Sequence, residues 1–74
     1  MIAPKFYHYR GKYGSDRDWI RKRMAVIPAD RQQEVADKYE AIFLDKTRGR
    51  KAANEYLQSV AAPYRDQMRT ERVA

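Results

Sequence analysis

Cysteine is absent from the 74 residues. No disulfide can staple the chain, and no thiolate can hold a metal. Histidine is nearly absent too, with His8 the only one. A structural zinc site takes about four Cys or His ligands, so that chemistry is excluded and no metal or cofactor is expected. No apolar run approaches the roughly 18 residues that span a bilayer. The opening Met1-Ile2-Ala3-Pro4-Lys5 lacks the apolar middle of a secretory signal. A soluble, cytoplasmic protein with no membrane segment is the expectation. Proline and glycine number only three each, and charged residues make up 35%. That balance favours helix over sheet.

What is present is positive charge. The net charge is +6, unevenly spread: +5 over residues 1–23, −3 over 24–45 and +4 over 46–74. A basic head and tail flank an acidic middle. Such a field attracts acidic partners, whether a protein surface or nucleic acid.

Three helices are predicted. Ser15 is a capping candidate with Asp18 as its reciprocal partner, and Ile20, Met24 and Ile27 share one helical face. Pro28 disfavours helix at the residue before it, so the first helix is expected over 15–27. Asp30 and Gln33 form a second start signal. Val35, Ala36, Tyr39, Ile42 and Phe43 follow as a stripe, giving a helix over 30–45. A third stripe, Ala53, Tyr56, Leu57 and Val60, places a helix from about 47 or 50 to 61. Pro63 either interrupts the pattern or opens a last turn, being tolerated at a first helical position. Residues 65–74 are expected to fray. The fold class is all-α: one compact three-helix domain with an extended aromatic and basic N-terminal arm.

Catalysis is not expected. A nucleophile needs a Ser, Cys or Thr beside a base. Ser15 has a capping role, and Ser59 sits on a helix without a local partner. Gly11 and Gly14 are too few for a phosphate-binding loop. Asp37, Glu40 and Asp45 lack the spacing of a calcium loop and read as a solvated face.

Surface recognition remains. Residues 6–14, FYHYRGKYG, mix rings with cations. Tyr7, Tyr9, Arg10, Lys12 and Tyr13 could anchor a protein interface or stack on bases and neutralise phosphates. The competing reading is core packing, with Phe6 and one tyrosine buried. Arg10–Gly14 shares a fragment of the RNA-binding strand signature, but no four-stranded sheet is predicted around it. Arg21-Lys22-Arg23 on the first helix, with Arg17 one turn before Arg21, is a second basic candidate, and a solvated face is its competing reading. Arg48, Arg50 and Lys51 open the third, where free N–H groups favour anions. Asn54 and Gln58 on that helix could read adenine edges. Self-association through exposed Tyr and Met is a further possibility, so a monomer or weak homo-oligomer is expected.

The stretches YHYRGKYGSDRDWIRKRM, EVADKYEAIF and RKAANEYLQ resemble small, basic, helical accessory proteins of lambdoid bacteriophages and enterobacterial prophages. The resemblance is one of style over most of residues 5–60 and carries no residue-level role. It implies a non-catalytic protein that binds a host protein and redirects or inhibits it. Targets of that kind are nucleases, replication or transcription factors, and defence complexes. The expected partner is therefore a host protein with an acidic surface, with DNA or RNA as the alternative.

Overall fold

A computed structural model describes residues 1–9 and 15–73, with side chains as far as Gln67. Three of the candidate contact residues, Arg10, Lys12 and Tyr13, lie outside the described residues. The helices are α1 (Arg17–Ala25), α2 (Ala29–Leu44) and α3 (Gly49–Val73). No strand occurs among the described residues. The domain is all-α with three helices, and the expected stripes close its core. Ile20, Met24 and Ile27 meet Val35, Ala36, Tyr39 and Ile42 of α2 and Ala53 and Leu57 of α3. Tyr39, Ile20, Met24, Leu57 and Val35 are the largest fully buried side chains. Each contributes about 1.5–3 kcal/mol of burial. Trp19, Phe43, Tyr56 and Val60 pack against this core only partly buried.

The helix ends differ from expectation. Ser15 accepts the Arg17 N–H at 3.0 Å, but Asp16 is the N-cap of α1 and makes no capping bond with its side chain. Asp16 is instead used elsewhere. Helix α1 ends at Ala25, and tight bonds from the Val26 and Ile27 N–H groups to Arg23 and Met24 close its last turn. Pro28, not Asp30, is the N-cap of α2, because Arg31 N–H already reaches the Pro28 carbonyl at 2.9 Å. Gln33 does not reach back to a cap; its Nε2 donates to Asp37. Asp45 shapes the next turn by accepting both the backbone N–H and the hydroxyl of Thr47. Gly49 enters α3 with φ +71°. That left-handed conformation suits glycine and strains other residues.

Pro63 neither interrupts α3 nor starts a new helix. It lies inside a continuous 25-residue helix. Proline lacks the N–H that residue 59's carbonyl would accept, yet the helix continues because packing holds both sides of the defect. Ala61 before it is buried, and Tyr64 after it packs on the core and accepts a hydrogen bond from Arg31.

The N-terminal arm is a structural part of the domain. Gln32 is the buried polar residue that makes it so. Its Nε2 donates to the carbonyls of Ile27 (3.0 Å) and Met24 (3.3 Å), satisfying the end of α1. Its Oε1 accepts the Ile2 N–H at 3.0 Å. Further along, Glu40 accepts the Lys5 N–H, and the His8 carbonyl accepts the Asp16 N–H at 2.8 Å. The arm thus lies between α1 and α2, with Ala3 and Tyr7 packed on the core. Phe6 is not a core ring; it is 52% exposed. The chain bends at Lys5 and Phe6, and Tyr7 is the ring that packs on the core.

Candidate interaction groove

At 1.5 Å per residue, α3 is about 37 Å long and α1 only about 13 Å. Helix α1 therefore shields a fraction of the flank of α3. Beside it runs an open groove of about 640 Å³, lined by Trp19 of α1 and by Arg50, Lys51, Asn54, Glu55, Gln58, Ser59 and Ala62 of α3. Positions 51, 55, 58 and 62 recur at helical spacing and form one wall. A second trough of about 210 Å³ shares Gln58 and Ala62 and continues between Lys22 and Arg23 of α1, with Val26 just past its end, and Ala61 and Arg65 of α3.

Arg23 lines the second trough, next to the first. Its guanidinium carbon lies 4.3 Å from the centre of the Trp19 ring, one helical turn away. Its Nε donates to Gln58 Oε1 at 3.1 Å. Cation and ring attract through the ring's negative face, so Arg23 is fixed over the indole. Burial first, and the Arg65 cation second, lower the proton affinity of Arg23 below the ordinary arginine value. It remains a cation, crowded by another. No carboxylate is among the residues that line this second trough.

The other end is neutralised. Arg50 donates from Nε and Nη2 to the two carboxylate oxygens of Asp16 at 2.8 and 2.9 Å. Asn54 donates from Nδ2 to Asp16 Oδ2 at 3.0 Å and accepts the Tyr39 hydroxyl at its own Oδ1. The Arg50 bond holds the Asp16 carboxyl below the usual carboxylate range. The Tyr39 hydroxyl is pushed up to about 12, first by burial and then by the Asp16 charge. Because Asp16 also donates its N–H to His8, one network joins core, groove and arm.

The structure separates the contact residues expected from sequence. Lys51 lines the groove, and Arg50 lines it while paired with Asp16. Arg17 and Arg21 lie on the far side of α1, in a cleft of about 240 Å³ shared with Met1, Ala3, Pro4, Tyr7 and Ile20. Tyr7 is half-buried there, while Tyr9 is 64% exposed. Arg48 is exposed in the loop and lines neither cleft. Of Arg48, Arg50 and Lys51 at the start of α3, Arg50 is engaged by Asp16. Asn54 and Gln58 do not stand free for base reading, since Asp16, Tyr39 and Arg23 occupy them. Asp37 and Asp45 are engaged locally by Gln33 and Thr47, and Glu40 by the Lys5 N–H of the arm. Among the described residues no three acidic or histidine side chains gather as a metal site. No helix is long and apolar enough to cross a membrane, again among the described residues.

Lys22 and Arg23 belong to the basic run that the sequence marked on the first helix, whereas Trp19 and Arg65 were not singled out as contact residues. The spacing of Trp19 and Arg23 was a legible signal. The approach of Arg65 depends on how α3 crosses α1, which no local pattern encodes. Compared with family models, curated proteins and solved structures, the chain matches none.

Proposed function

We propose that this protein is a non-catalytic protein-binding module, a phage-type modulator or inhibitor of a host protein, with the α1–α3 groove as its contact surface. The supporting observation is Trp19 in the wall of an open groove, with Arg23 fixed over its ring. Tryptophan and arginine are the residues that most often carry interface energy. Holding them in one orientation before contact reduces the entropy lost on binding. The partner is expected to be acidic where Lys22, Arg23 and Arg65 meet it, and nucleases, replication or transcription factors and defence complexes are the candidate classes.

The test is retention of a partner from bacterial lysate by the wild-type chain and by a Lys22→Glu/Arg65→Glu variant. The reading expects a discrete protein retained by the wild type and lost by the variant. Equal retention by both, or none by either, contradicts it. The same cationic trough favours a second reading, binding of DNA or RNA. Neutralising several phosphates makes affinity fall steeply with salt. Weak binding with a flat salt dependence removes that reading.

A further inference from the structure

We infer that the groove accepts an acidic amphipathic helix, with an apolar side chain seated between Trp19 and Ala62 and carboxylates beside Lys22 and Arg65. This rests on the protein-binding reading above and names the kind of partner.

Length comes first. The two troughs follow α3 from Lys51 to Arg65, roughly 22 Å at helical rise, or about four turns. A third helix lying against α1 and α3 fills such a channel by ordinary packing of ridges into grooves. An extended peptide is a poorer fit. Pairing as an added strand takes a sheet edge, and the described residues contain no strand. The peptide's N–H and C=O groups would face side chains and lose their water.

Charge comes second. The Trp19 end is not cationic on balance: Arg50 is paired with Asp16, and Glu55 stands one turn from Lys51 in the same wall. The Arg65 end has three cations and no lining carboxylate. The channel is therefore polarised, apolar and near neutral at one end and positive at the other. A matching helix carries its bulky apolar residues in one half and its carboxylates in the other.

The same features disfavour nucleic acid. A base needs an open ring face on which to stack, but Arg23 occupies a face of Trp19. Glu55 in the wall repels phosphate. A second copy of the chain is disfavoured as well, because two such grooves facing each other would bring like charges together.

Trp19 is the only tryptophan, so its emission reports groove occupancy without a label. The probe is a synthetic four-turn helical peptide with Leu at i, i+4 and i+7 in one half and Glu in the other. Controls are the same peptide with Lys for Glu, and oligo(dT). The expected result is a saturable shift of Trp19 emission below about 1 mM peptide. Lys22→Glu/Arg65→Glu should weaken it roughly tenfold, while Arg17→Glu/Arg21→Glu leaves it unchanged. No saturation, equal binding of the Lys peptide, or displacement of the Glu peptide by oligo(dT) overturns the inference. So does a sedimentation mass above 8.8 kDa that accounts for the emission change without peptide. If the peptide fails while lysate retention still depends on Lys22 and Arg65, only the helical partner falls and the protein-binding reading stands.

Discussion

Helix α1 has a cleft on each side, and the chain treats them differently. Toward α2, residues 1–9 fill the seam, and three backbone bonds, at Ile2, Lys5 and His8, pin them there. Toward the outer flank of α3 nothing in the described chain closes the groove, and Trp19 and Arg23 are held at its edge. Both clefts have cations on their rims. In the arm-side cleft Arg17 and Arg21 stand over a seam the protein has lined with its own arm. Beside α3, Lys22 and Arg65 stand over one it has not. Basic residues alone therefore do not mark a contact surface; the packing beneath them does.

Substitutions can break this comparison in order of size. Tyr39→Ala removes the ring shared by both sides and should cost about 3–5 kcal/mol, measured by chemical denaturation. Tyr39→Phe, which only strips the hydroxyl from Asn54, should cost about 1 kcal/mol. Gln32→Ala leaves two buried carbonyls and the arm without their partner and should cost about 1–3 kcal/mol. Limited proteolysis within residues 1–9 should accelerate in the same variant. A wild-type cleavage rate would mean that the arm is not held by Gln32. Trp19→Ala should cost only about 1–2 kcal/mol, because the ring is half-buried, while abolishing groove binding. Phe6→Ala should stay within about 0.5 kcal/mol, and Tyr7→Ala should exceed it.

Acid should act through the network that joins the two sides. Asp16 has a depressed folded pKa, chiefly through its bond to Arg50. Its contribution is complete above the ordinary carboxylate value of about 3.9 and is lost as pH falls through the lower folded value. Asp16→Asn should flatten the stability profile in that window. Tyr39 acts at the opposite extreme. Its pKa rises to about 12 in the folded state, so stability is complete below the unfolded value of about 10 and declines as pH rises from there. Tyr39→Phe should remove this alkaline decline.

Much of the core was legible in the sequence, since Ile20, Met24, Val35, Tyr39 and Leu57 fall at helical spacing and are all buried. Pro28 marked the end of α1 to within two residues. The site was less legible. Asp16 read as helix-start chemistry, but its carboxylate went to Arg50 and Asn54, 34 and 38 residues away. Gln32 read as one more polar residue near a helix start, and only the approach of Ile2 and the end of α1 gives it three partners. Pro63 read as a break or as the start of a last turn because propensity was weighed without Tyr64, which packs on the core beyond it. In each case a long-range contact overrode a local signal.

Photocrosslinking from each side of α1 tests the central claim most directly. A photoreactive phenylalanine analogue replaces Ser59, which lines the open groove, or Arg17, which lines the arm-side cleft. Both positions are exposed, so neither change should unfold the domain. In bacterial lysate, a discrete protein adduct should form from position 59 and none from position 17. An adduct from position 17 with none from 59 would place the contact surface on the arm side and contradict the account.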